Sequence, residues 1–265
     1  MAEKTTQERQ PMLSVRGIVK RFGGLTAVNK VDMDVYPGEV VGLVGDNGAG
    51  KSTLIKCVSG VYQADEGEIY FGGQRVHISH PSEAREMGIE TIYQDLALAG
   101  NLHVSANIFL GREVKKAYLG GLVNVLDEPY MRDESQKVLD SLEIRFPSLS
   151  QEVNNLSGGQ RQAVAIARAM YWNARLMIMD EPTNNLGVIE QRKVLNLIRT
   201  LRDKGVPVIL ISHSIHDVFA VSDRIIVLRR GRKVTEKKAA ESNTEEIVQY
   251  IVGARDDTRD TAQAN

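Results

Sequence analysis

Val40-Val41-Gly42-Leu43-Val44-Gly45-Asp46-Asn47-Gly48-Ala49-Gly50-Lys51-Ser52-Thr53 is the stretch that decides the architecture of this chain. The apolar run Val40 to Val44 reads as a buried strand, and Lys51 to Gly60 as a helix. Between them, Gly45 to Ser52 fits the phosphate-cradling pattern G-x-x-x-x-G-K-[ST] at every position. Strand, glycine loop and helix together aim successive backbone N–H groups and a helix N-terminus at one anion. In such a cradle, formed by Gly45 to Thr53, the Lys51 ammonium reaches the β- and γ-phosphates and the Ser52 hydroxyl faces Mg²⁺.

Working outward, Val28 to Val35 alternates apolar with polar residues, the period of a half-exposed strand, and Leu13 to Val19 does so weakly. Glu68 to Phe71 and Arg75 to Ile78 read as a hairpin across Gly72-Gly73. Ser82 to Met87 reads as a short helix and Ile89 to Tyr93 as a strand ending at Gln94. From Asp95 to about Asn155 strand-like runs vanish, while Val104 to Leu110 and Glu128 to Leu142 carry helical spacing. The expectation is a helical lobe, residues 95–160, inserted into an α/β core. Beyond it, strands at Leu176 to Met179, Val206 to Ile211 and Arg224 to Leu228 alternate with helices at Ser157 to Trp172 and Val188 to Asp203. That alternation predicts a mainly parallel sheet covered by helices. Residues 1–11 read as a polar tail and residues 253–265 as a disordered one.

The composition narrows the function. Hydrophobic residues make up 42% and charged residues 25% of the 265, as in a globular protein with a sizeable core. A net charge of −1 gives no general field for nucleic acid. The local basic runs, among them Arg229-Arg230-Gly231-Arg232-Lys233, read as solvated turns. The single cysteine, Cys57, excludes an internal disulfide and reads as a small buried residue. Residues 1–10 lack the apolar core of a signal peptide, and no apolar run reaches the roughly eighteen residues that span a bilayer. If this protein works at a membrane, it borrows another chain's helices.

Two further segments carry chemistry. Leu176-Met177-Ile178-Met179-Asp180-Glu181-Pro182 is a buried strand that delivers Asp180 to the sheet's carboxyl edge as an acidic partner of Mg²⁺, or else a surface turn closed by Asp-Glu-Pro. Glu181 is the candidate general base that polarises a water for in-line attack on the γ-phosphate. Leu156-Ser157-Gly158-Gly159-Gln160 contains a capping box, S-x-x-Q, that opens an apolar helix and presents N–H groups and positive dipole to an anion.

The phosphate loop, this second glycine segment and the Asp-Glu pair together resemble the ATP-binding subunit of an ABC transporter, over roughly Met12 to Val252. The fold implied is a P-loop NTPase core with an antiparallel β subdomain and the inserted helical lobe. The resemblance implies that Gln94 touches Mg²⁺ and the attacking water. It implies that His213 hydrogen-bonds the γ-phosphate and orients Glu181, although a lone histidine after a strand can also be structural. Phe22 matches the aromatic that stacks on adenine, with core packing as the alternative. Ser157, Gly158, Gly159 and Gln160 would contact ATP held by a second copy, so that a homodimer sandwiches two nucleotides and closes on binding. One position departs from the family pattern: Gly187 stands where an aspartate is expected, which predicts an active ATPase with weaker cooperativity between its sites.

Tyr93-Gln94-Asp95-Leu96-Ala97-Leu98, Asn107 to Glu113 and Gly45-Asp46-Asn47-Gly48 are similar to the monosaccharide-importer branch. The function implied is ATP hydrolysis that powers sugar import through integral membrane permease subunits, served by a solute-binding protein. The subunit would lie peripherally on the cytoplasmic face of the membrane. The surface between Leu96 and Gly111 would receive a permease helix. An importer ATPase for an amino acid or nucleoside, and a soluble non-transport ABC ATPase, remain the alternatives.

Overall fold

Residues 10–118 and 123–257 are described by the computed structural model. The chain opens with two long strands, β1 (Leu13–Phe22) and β2 (Leu25–Val35), paired antiparallel. Gly17, at φ 59°, occupies an irregularity in β1. The inward set therefore changes from Leu13 and Val15 to Ile18 and Val19, all buried. β4 (Glu66–Phe71) and β5 (Gln74–Val76) complete a four-stranded antiparallel sheet in the order β2-β1-β4-β5.

A six-stranded sheet forms the spine, in the order β12-β11-β3-β10-β9-β6. Its strands are β3 (Val40–Val44), β6 (Ile89–Ile92), β9 (Leu176–Asp180), β10 (Val208–Ile211), β11 (Arg224–Arg229) and β12 (Arg232–Lys238). All neighbours run parallel except β11 and β12. β3 and β10 are buried at every residue, as strands covered on both faces must be. Alternate residues divide the core. Met177, Met179, Val208 and Leu210 pack with the helices α5 (Gly158–Tyr171) and α6 (Val188–Asp203). Leu176, Ile178, Ile209 and Ile211 face α1 (Lys51–Val58) and the antiparallel sheet.

Between β6 and α5 lie α3 (Val104–Ile108) and α4 (Glu128–Ser141), which share the α5 and α6 core through Val104, Ile108, Phe109 and Leu139. This segment is not purely helical, which corrects the expectation that strands vanish there. β7 (Lys115–Tyr118) and β8 (Val123–Leu126) pair antiparallel as a separate hairpin. Lys115, Lys116 and Ala117 are exposed, as are Val125 and Leu126. Successive exposed residues leave no alternating apolar pattern in the sequence.

Besides the β7–β8 hairpin, β12, α7 (Ile215–Val221) and α8 (Thr244–Val252) were not anticipated from the sequence. Of the expected disordered tail, residues 253–257 are instead tied down. Asp256 pairs with Arg229 at 2.6 Å, and Asp257 accepts hydrogen bonds from Thr235 at 2.6 Å and Tyr250 at 2.7 Å. Residues 258–265 of that tail, and 1–9 of the amino-terminal one, lie outside the described residues. Cys57 is buried as expected, and burial pushes its thiol up to about 11.

Candidate nucleotide site

Sheet register brings the sequence-predicted residues to one edge. Ile211 lies level with Leu43 on one side and Asp180 on the other, and Ile92 with Met179. The chain beyond those levels holds Gly45 after β3, Glu181 after β9, His213 after β10 and Gln94 after β6. All of them follow the carboxyl ends of parallel strands, the usual place for ligands in such sheets. Gln94, Glu181 and His213 line a cavity of about 640 Å³ together with Phe22, Lys51, Ser52 and Asp180, while Gly45 lies outside its lining.

The phosphate loop owes its shape to glycine. Gly45, Gly48 and Gly50 have φ of 149°, 76° and 103°. A Cβ on Gly45 would stand 2.2 Å from the Leu228 carbonyl oxygen, and one on Gly50 2.5 Å from that of Ala27. Gly50 precedes α1, so the backbone N–H groups of the first helical turn lack intrahelical acceptors and face the cavity. Lys51 is buried, and its Nζ donates to the carbonyls of Gly45 at 2.6 Å and Asp46 at 3.0 Å. Burial lowers its pKa, while Glu181, Asp180 and Asp46 act in the opposite direction.

Burial also raises the pKa of Asp180 and of Glu181, against the pull of Lys51 and His213. Glu181 adopts φ 53°, a left-handed conformation that costs a residue with a Cβ and recurs at functional sites. Its Oε2 accepts from the His213 backbone N–H at 3.2 Å. Its Oε1 lies 3.2 Å from His213 Nε2, yet is buried without a hydrogen-bond partner. A buried carboxylate oxygen left unsatisfied calls for a donor, and a water or ligand entering the cavity would supply one.

The donor set therefore fits a magnesium nucleotide. A glycine cradle, a lysine held on loop carbonyls, the Ser52 hydroxyl and the Asp180 carboxylate suit a phosphate chain and a hard cation. Phe22 is 42% exposed at the cavity rim, edge-on to Tyr62 at 5.2 Å, so it is not a core residue. Asp180 ends a buried strand, which removes the surface-turn alternative.

The signature residues lie elsewhere in the same chain. Ser157 caps α5 by accepting from Gln160 N at 3.3 Å, and Gln160 Oε1 accepts from Ser157 N at 2.9 Å, the reciprocal box foreseen from the sequence. Ser157, Gly159 and Gln160 border a second cavity of about 610 Å³ with Glu190 and Lys193 of α6. The fold thus does not bring Ser157 to Gln160 to the Lys51 cavity.

A positioning network escaped the sequence reading. Thr183 Oγ1 donates to Asp217 Oδ2 at 2.7 Å, tying the segment after Glu181 to α7, just beyond His213. Ser214 Oγ caps α7 through Asp217 N at 3.3 Å. The Ser214-x-x-Asp217 spacing was the available signal.

Comparison with known proteins agrees with this geometry. The family model described as ABC transporter matches residues 28–184. A xylose/arabinose import ATP-binding protein of Sulfolobus acidocaldarius is 50% identical over 91% of this chain and 93% of its own. A fructose import ATP-binding protein of Rhizobium meliloti is 43% identical, covering 97% and 99%. A ribose import ATP-binding protein of Clostridium tetani is 39% identical, but the chain spans only 49% of its length. Among solved structures, a nucleotide-free ATP-binding cassette from an ABC transporter superposes with a TM-score of 0.77, at 27% identity over 92% of this chain and 96% of that one. A dimeric post-hydrolysis cassette bound to ADP and Pi gives 0.70, at 25% identity over 86% and 99%. By this likeness and by the geometry of its cavity, the chain belongs to the ABC transporter family, as one of its ATP-hydrolysing subunits.

Proposed function

We propose that this chain powers import of a sugar, a monosaccharide, through membrane permease subunits fed by a solute-binding protein. The observation that carries the chemistry is the convergence of Lys51, Asp180, Glu181 and His213 on one cavity. The cargo reading rests on relatives named for import of xylose/arabinose, fructose and ribose.

In this reading the backbone N–H groups of Gly48 to Thr53 and the Lys51 ammonium bind the phosphate chain and fix its orientation. Magnesium, when bound, neutralises charge on the phosphate oxygens, and Ser52, Asp180 and Gln94 would hold it. Glu181 accepts a hydrogen bond from the water that attacks the γ-phosphorus and takes its proton. His213, joined to Glu181 through its backbone N–H, keeps that carboxylate aimed and faces the γ-phosphate. Phe22 offers its exposed ring to the adenine, an interaction typically worth about 1–3 kcal/mol. Ser157 to Gln160 serve the nucleotide of a second copy, which explains why they stand outside the local cavity. Gly187 leaves the catalytic groups complete and weakens coupling between the two sites.

No helix among the described residues is long and apolar enough to cross a membrane. The subunit would sit on the cytoplasmic face, docked by the surface from Leu96 to Gly111, where Leu110 is exposed. The test is purification from native membranes in mild detergent with mass spectrometry of the companions. Recovery of a many-helix permease and a sugar-binding receptor is expected. Recovery of ribosomes, DNA or no membrane protein would overturn the transport reading.

A further inference from the structure

The turn joining β11 to β12, Arg230-Gly231, reaches the nucleotide cavity, and both residues line it. The backbone fastens this turn to the phosphate loop. Gly231 N donates to the Ala49 carbonyl at 3.0 Å, and the Gly231 carbonyl accepts from Asn29 N at 2.7 Å. A Cβ on Gly50 would come within 3.3 Å of Gly231 Cα. Arg229, one residue earlier, is committed elsewhere, because its guanidinium pairs with Asp256 at 2.6 Å. Arg230 is exposed and makes no ion pair among the described residues.

The charge of the cavity gives that arginine a purpose. Its lining holds two lysine or arginine cations, Lys51 and Arg230, and two carboxylates, Asp180 and Glu181. Without Arg230 the permanent charges facing a polyphosphate would be net negative. Arg230 also adopts φ 49°, a conformation that glycine or asparagine occupies more cheaply. Its location along the ligand follows from its neighbours. Lys51, Glu181 and His213 gather at the carboxyl edge, where the bond to the terminal phosphate must lie. The Arg230-Gly231 turn rests on Ala27 and Asn29 of β2, beside the Phe22 end.

We propose that Arg230 is a nucleotide-binding residue whose guanidinium contacts the α-phosphate, on the sugar side of the cavity. The proposal deepens the reading above and rests on ATP occupying this cavity. A guanidinium is suited to the task because its forked donors match phosphate oxygens and it keeps its charge on burial.

The test compares affinities of the full chain for ATP, ADP and GTP by titration calorimetry at fixed ionic strength. Arg230→Asn removes the cation while keeping a residue that tolerates the left-handed turn. It is expected to weaken ATP and ADP alike, by roughly tenfold, as loss of a charge-assisted hydrogen bond does. The ratio of ATP to GTP affinity should not move, and Arg230→Lys should fall between Asn and wild type. Unchanged affinities in Arg230→Asn, with wild type binding normally, would overturn this assignment alone. Weakening of ATP with ADP spared would place the contact at the terminal phosphate and overturn it. A shifted ATP to GTP ratio would make it a contact with the base and overturn it. Wild-type protein that binds neither ATP nor ADP would overturn the reading of the cavity itself and this assignment with it.

Discussion

Glu181 illustrates how little local sequence explains about a residue's chemistry. Its place after Asp180 was legible, and the family resemblance implied that His213, thirty-two residues away, orients it; its left-handed backbone and its bond to the His213 backbone N–H were not legible. We expect Glu181→Gln to retain ATP affinity and lose roughly 10²–10⁴-fold in kcat, because the amide cannot accept the proton of the attacking water. Equal kcat for variant and wild type in a phosphate-release assay would remove Glu181 from the mechanism. The direction of its pKa shift gives a second expectation. Burial favours the protonated acid, and only the ionised form acts as a base. Activity should therefore fall, as pH drops, through a pKa above the 4.5 of an ordinary glutamate. A pH profile of kcat/KM, which reports the free enzyme, will read that limb, and an acid limb at or below 4.5 would contradict the burial argument.

At the scale of elements, one arginine links the two main sheets. Arg224 of β11 pairs with Glu39 at 2.9 Å and with Glu236 of β12, and it donates to the Asp34 carbonyl of β2. Its side chain is 16% exposed. Arg224→Ala would leave Glu39 and Glu236 close together without their cation. Breaking a buried pair on one side typically costs about 3–5 kcal/mol, and partial exposure should bring this nearer 2 kcal/mol. Urea unfolding measures it, and a midpoint indistinguishable from wild type would show that the Arg224 network adds nothing to the hold between the sheets. The elements best read from sequence were those with a buried face: β3, β9 and β10 as continuous apolar runs, α5 and α6 as amphipathic helices. The β7–β8 hairpin escaped because residues 115–117 and 124–126, on both faces of it, are exposed. β12 escaped because its basic residues looked like a solvated turn, although Lys233 pairs with Glu236 and Lys237 with Asp257.

At the scale of the whole molecule, one chain carries its phosphate loop and its signature segment on two separate cavities. Lys51 and Glu181 line one cavity, and Ser157 with Gly159 lines another. If a second copy completes each site, Glu181→Gln should form a stable dimer with ATP and revert to monomer without it. Adding Ser157→Arg should abolish the dimer while preserving ATP affinity, since the signature serine lies outside its own chain's nucleotide cavity. Size-exclusion chromatography with light scattering decides between these states. A dimer that survives Ser157→Arg would argue against a sandwich through the signature.

The sequence by itself determined the parts whose chemistry is written in consecutive residues. The phosphate loop depends on glycine spacing and on the strand and helix that flank it. The signature helix depends on a serine three residues before a glutamine. Both are short-range, so their physics is complete within a dozen residues. Tertiary structure alone decided which of these parts share a cavity. It closed His213 Nε2 to 3.2 Å from Glu181, a pairing that only the family resemblance had implied, seated Arg230-Gly231 against the phosphate loop and drew Asp256 back to Arg229. Those contacts join residues tens to nearly two hundred positions apart. They are set by strand order in the sheet and by packing of its faces, for which no local pattern exists.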